Sequence, residues 1–158
     1  MKALTFDDIA KENFNFLISD YDFKLIKSHK ENSGYKLIYL NSFTGVKITY
    51  EYREAYIFIM LYKLINRKMI ENPIDIMKDS ILYGYGLDDI INLKNPSDLI
   101  KPSYQYNSES DYHDSCKGLT LYVSTFANNL KIYASDILDG DFKIFKELDT
   151  IVKDRISK

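Results

Sequence analysis

The densest cluster of chemically capable side chains is in "YASDILDGDFKIF", Tyr133 to Phe145, where Asp136, Asp139 and Asp141 crowd Gly140. A calcium-binding loop needs oxygen donors at positions 1, 3 and 5, Gly at 6 and Glu at 12. Counting from Asp136 puts Glu147 at 12 but Leu138 at 3 and Gly140 at 5. Taking Gly140 as position 6 starts the loop at Ser135, with Ile137 at 3 and Lys146 at 12. Neither register converges enough oxygens on a cation, so the stretch is expected to turn a corner without a metal. Gly140 then takes the left-handed conformation that ends one helix, and Asp141 caps the next.

Three other stretches carry reactive groups. "HDSC", His113 to Cys116, holds a thiol, an imidazole and a carboxylate. The helical pattern around it puts Cys116 on a buried seam with His113 one position beyond seam residue Tyr112, so Cys116 is expected to be a small core residue. With His29 the only other histidine and Cys116 the only cysteine, neither a multi-histidine zinc site nor an intramolecular disulfide can form. "YGYG", Tyr83 to Gly86, lacks the spacing of a phosphate loop and runs into "LDD", whose acids repel phosphate. Asp88 and Asp89 are expected to stabilise the first turn of a helix. With Asp114 they are also the carboxylates on which an enzyme or ligand-binding alternative rests.

Bulk composition narrows the classes. A chain of 158 residues, 46% hydrophobic and 28% charged, is expected to fold as one domain, residues 1–158. A net charge of −2, with Lys outnumbering Arg 18 to 3, offers no field or bidentate chemistry for nucleic acid. The start "MKALTFDDIAKENF" lacks a signal-peptide core. The longest apolar run, "AYIFIMLYKLI", is too short to span a bilayer, so no membrane association and a cytoplasmic location are expected.

The elements that must position these residues follow from periodicity. "LTFDDIAKENFNFL" reads as a helix with Thr5 as N-cap and Leu4 stapled against Ile9. From Tyr21 to Ile65 the period becomes two, in the runs "YDFKLIKS", "YKLIYLN", "VKITYEY" and "AYIFIMLYKLI", a four-stranded antiparallel meander. Residues 66–107 hold a short strand, "SILYGYG", and a short helix, "LDDIINL". Beyond Ser108 a seam at Tyr112, Cys116, Leu119, Val123, Phe126, Leu130, Tyr133 and Ile137 predicts one long helix ending at Leu138. A second pattern from Phe142 to Ile156 predicts another. The expected class is α+β, with an N-terminal helix, the meander and two C-terminal helices packed on one sheet face.

The third run divides Val46, Ile48, Tyr50 and Tyr52 from Lys47, Thr49, Glu51 and Arg53, and the fourth is apolar on both sides. Tyr50, Tyr52, Tyr56 and Tyr62 are therefore candidate members of an aromatic row, used either in the core or to bind a protein partner.

"FNFLISDYDFKLIKS", "VKITYEYRE" and "YASDILDGDFKIFKELDTIVKDR" together resemble a family of small, uncharacterised bacterial α+β proteins of immunity-protein type. The matched features are an opening helix before a Tyr-x-Phe strand, a strand reading V-x-I-x-Y-x-x-R, and a tail reading L-x-G-D-F-x-x-F. The resemblance implies a bacterial protein of the kind that blocks a toxin and marks Arg53, within the matched motif, as a functional residue. The missing catalytic constellations and the tyrosines beside mixed charge on the sheet lead to the expectation of a non-catalytic module, of immunity or adaptor type, that binds another protein. The expected binding set is thus Tyr50, Tyr52, Arg53 and Tyr56, with no catalytic residue, metal or cofactor, in a monomer or homodimer.

Overall fold

The computed structural model describes residues 5–114 and 117–156. The chain opens with α1 (Phe6–Asn13) and α2 (Phe16–Tyr21), followed by β1 (Lys24–Glu31), β2 (Gly34–Leu40), β3 (Thr44–Glu51) and β4 (Tyr56–Lys63). After a long excursion come β5 (Gly84–Gly86), α3 (Leu87–Lys94), α4 (Gly118–Tyr133), α5 (Ser135–Leu138) and α6 (Phe145–Ile156). The class is α+β, and the antiparallel sheet runs in the order β1-β2-β3-β4-β5. The sheet has five strands where the sequence pattern gave four, because "GYG" pairs with β4 through Met60↔Gly86, Leu61↔Tyr85 and Tyr62↔Gly84. Only glycine fits at position 84, since a Cβ there would lie 2.4 Å from the Tyr62 ring.

The expected first helix is two. Thr5 does cap α1, its Oγ1 accepting the Asp8 N–H at 3.3 Å, while Leu4 lies outside the described residues. The helix stops at Asn13 and restarts at Phe16, which allows Phe14, Leu17 and Phe23 all to be buried. Tyr21 closes α2 instead of opening a strand, and Asp22, at φ 60°, redirects the chain into β1. Asparagine and aspartate tolerate this left-handed geometry better than other side-chain-bearing residues.

Alternation gives the sheet two unlike faces. Leu37, Tyr39, Val46, Ile48, Ile57, Ile59 and Leu61 form one core with α1, α3 and α4. Cross-strand partners Leu37↔Ile48, Ile48↔Ile59 and Val46↔Leu61 put these side chains on the same side. The other face carries Lys36, Lys47, Thr49, Phe58 and Met60, so the wet side expected for β3 is present. The β2–β3 turn ties this sheet to the helical layer. Asn41 Oδ1 accepts the Phe43 and Thr44 N–H groups, its Nδ2 donates to the Tyr21 and Leu138 carbonyls, and Thr44 Oγ1 donates to the Ile137 carbonyl at 2.7 Å. β1 forms one margin of the sheet, bulged between Leu25 and Lys27 and bearing exposed Lys24, Lys27, His29 and Lys30.

The single helix expected from Ser108 to Leu138 is not formed. Asp111–His113 is a 3-10 turn, α4 begins only at Gly118, and Ala134 (φ −120°, ψ 16°) separates α4 from α5. Gly118 accommodates the first break: the turn lies over the start of α4, where a Cβ at position 118 would come within 2.2 Å of the Tyr112 carbonyl oxygen. Val123, Phe126, Leu130 and Ile137 are buried as the seam requires, whereas Tyr112, Leu119 and Tyr133 are half-buried. Cys116 lies outside the described residues.

Candidate functional site

At the turn between β3 and β4 the structure stacks an aromatic ladder that ends in solvent. Phe6 of α1 lies flat on Tyr50 with ring centroids 4.7 Å apart, and Tyr50 meets Tyr52 edge-on at 5.6 Å. The Tyr52 N–H donates to the Ser33 carbonyl at 2.9 Å, which fixes its backbone. Its side chain is nonetheless 47% exposed, and its hydroxyl has no partner among the described residues. Arg53 follows, exposed and likewise without a partner among the described residues. Ala55 then reverses the chain at φ 48°, and its carbonyl accepts the Ser103 N–H at 3.0 Å. That bond brings the 3-10 turn Ser103–Gln105, with exposed Tyr104, against the same corner.

The remaining members of the expected row do not share this surface. Tyr56 is buried, packed edge-on against Phe126 at 5.5 Å, and donates its hydroxyl to Asp88 Oδ2 at 2.5 Å. Tyr62 is buried outside that core cluster, donating to Glu71 Oε2 at 2.8 Å. Burial and the neighbouring carboxylate raise both phenols well above the ordinary tyrosine value. Of the four binding residues expected, Tyr52 and Arg53 are therefore at the surface, Tyr50 supports Tyr52, and Tyr56 works inside the fold. Sequence reasoning missed Tyr104, whose proximity depends on a backbone bond spanning 48 positions between Ala55 and Ser103.

The candidate carboxylates take separate partners. Asp88 receives Tyr56, and Asp89 receives both terminal nitrogens of Arg155 at 3.0 and 3.1 Å. Burial raises the Asp88 carboxyl above its ordinary value; the Tyr56 hydrogen bond opposes this and the charge of Asp89 adds to it. Both acids line a hollow of about 280 Å³ with Met60, Tyr85 and Val152. Asp114 belongs to the approach to α4, where its Oδ1 accepts the Lys117 N–H at 2.8 Å. His113 Nε2 donates to the Tyr106 carbonyl at 3.2 Å.

The aspartate corner is built as a turn. Gly140 has φ 90°, and its neighbour Asp141 accepts the Lys143 N–H at 3.1 Å, so the cap acts on the turn before α6 rather than on the helix itself. Asp136 pairs with Lys94 at 3.4 Å. Among the described residues no three His, Cys, Asp or Glu gather as a metal site, and no helix is long and apolar enough to cross a membrane. Comparison of the chain with protein-family models, curated proteins and solved structures finds no match.

Proposed function

We propose that this chain is a non-catalytic protein-binding module of immunity or adaptor type, acting in the bacterial cytoplasm and engaging another protein through the Tyr52–Arg53–Tyr104 corner. The observation that carries this reading is Tyr52, an exposed ring that meets Tyr50 edge-on, with Phe6 stacked behind Tyr50. Binding energy concentrates in aromatic and arginine side chains that are ordered before the partner arrives, because little conformational freedom is then lost. Arg53 adds five donors with no partner among the described residues, suited to a carboxylate on the partner's surface. An enzyme reading needs carboxylates free to move protons, whereas Asp88 and Asp89 are each engaged by a different side chain.

The test is affinity capture from the native host with the wild-type chain and with a Tyr52→Ala, Arg53→Ala double variant. The wild type is expected to retain one protein at stoichiometric yield and the variant to lose it, with unchanged thermal unfolding. No stoichiometric partner across several growth states, or equal capture by the variant, overturns the reading.

A further inference from the structure

The hollow of about 280 Å³ beside the start of α3 lies between the sheet margin at β5 and the helix α6. Met60, Ile76, Leu82 and Val152 give it half-buried apolar walls. Most polar side chains on those walls are already committed within the chain. Asn72 bonds to the Tyr83 and Gly84 backbone, the Tyr85 hydroxyl donates to Asp149 Oδ1 at 2.7 Å, and Asp89 receives both terminal nitrogens of Arg155. Asp88 is the exception. Its Oδ2 accepts from Tyr56, whereas no N–H or O–H reaches its Oδ1 among the described residues. Every buried side-chain nitrogen or oxygen among those residues has a hydrogen-bond partner, so Oδ1 is open to solvent, on a residue that borders the hollow.

We propose that this hollow binds a small primary amine with an apolar tail, seating its ammonium on Asp88 Oδ1 and its tail against Met60, Leu82 and Val152. The chain itself shows what is missing. On the same strand Tyr62 donates to Glu71 as Tyr56 donates to Asp88, but Glu71 also receives Lys47 Nζ at 2.9 and 3.0 Å. Among the described residues no lysine or arginine does this for Asp88, and the base on the same wall, Arg155, is directed at Asp89. Burial first, and then the charge of Asp89, raise the Asp88 carboxyl against the pull of the Tyr56 bond. A cation at Oδ1 relieves that cost, and the space beside it is already open. The unspent carboxylate oxygen sets the charge of the ligand, the aliphatic walls set the chemistry of its tail, and a volume at the small end for ligand pockets keeps that tail short. The site shares no residue with the Tyr52 corner, so either can fail without the other.

The test is an amide NMR titration of the full chain at neutral pH with isoamylammonium chloride, a short branched amine. The Gly84, Gly86, Asp88, Asp89 and Val152 signals should shift together and saturate, with a dissociation constant on the order of 1 mM. Isoamyl alcohol keeps the tail without the charge, and methylammonium keeps the charge without the tail. Each should bind more weakly by about tenfold or more. Asp88→Asn should reduce amine binding to the level of the alcohol, and Val152→Lys, which sets the chain's own ammonium in the hollow, should abolish it. Comparing amine with alcohol on the wild type needs no variant to fold. No saturable shift, saturation at other amides, equal affinity for amine and alcohol, or undiminished binding by Asp88→Asn would each overturn the proposal.

Discussion

Two tyrosine–carboxylate bonds hold the irregular middle of the chain to β4, and they work under opposite electrostatic conditions. On the outer face Tyr62 donates to Glu71, which also receives Lys47 Nζ at 2.9 and 3.0 Å. Burial alone raises that carboxyl, but the hydrogen bonds from Lys47 and Tyr62 outweigh it and hold Glu71 below its ordinary value. Where β4 meets α3 and α4, Tyr56 donates to Asp88, which has a neighbouring acid in place of a lysine and is raised. The same pair of groups is thus a favourable charge site in one place and a costly one in the other. A third cation-like partner decides the sign, not the tyrosine.

Deleting the hydroxyls tests that contrast most strongly. Tyr56→Phe leaves Asp88 partly buried without its donor and is expected to cost about 1–3 kcal/mol in urea unfolding. Tyr62→Phe should cost less, about 0.5–1.5 kcal/mol, because Glu71 keeps Lys47. Removing the charges sharpens it. Glu71→Gln should cost no more than about 1 kcal/mol at neutral pH, since the pair is more than half open to solvent on the Glu71 side. A lowered folded value makes Glu71 stabilising above 4.5, with the benefit lost as pH falls through that lowered value, so variant and wild type should converge in acid. Asp88→Asn is the smallest change and of opposite sign. A raised folded value makes the ionised Asp88 a cost at neutral pH that is relieved as pH falls through that value and gone below 3.8. The variant, whose amide oxygen still accepts from Tyr56, should therefore match or slightly exceed wild type at neutral pH and lose that advantage in acid. Urea midpoints across pH measure both trends, and Asp88→Asn less stable than wild type at neutral pH but not in acid would reverse the assignment.

The meander was legible because each strand is a separate period-two run bounded by turn residues, as Val46, Ile48 and Tyr50 against Lys47, Thr49 and Glu51 illustrate. The helix breaks were not. Phe14, Phe16 and Leu17 keep the apolar pattern going across the end of α1, and the seam spacing runs on through the 3-10 turn before α4. Gly118 was the available signal there, a residue with no side chain in the middle of an apparent helix. β5 was visible as a short strand, yet its pairing with β4 depends on a chain excursion that periodicity does not describe. The carboxylate partners of Tyr56, Tyr62 and Tyr85 lie 32, 9 and 64 positions away, so tyrosine abundance was evident while its use as a set of latches was not. In the binding corner, Tyr52 and Arg53 were readable as candidates from strand alternation and resemblance, but exposure depends on where α1 stops covering the sheet.

The margin formed by β1 has a consequence for how copies of this chain can meet. Its bulge and its row of lysines spoil the straight, uncharged edge that another strand needs for docking, and the opposite margin ends in a strand of three residues. Strand-by-strand extension of the sheet from molecule to molecule is therefore disfavoured at both margins.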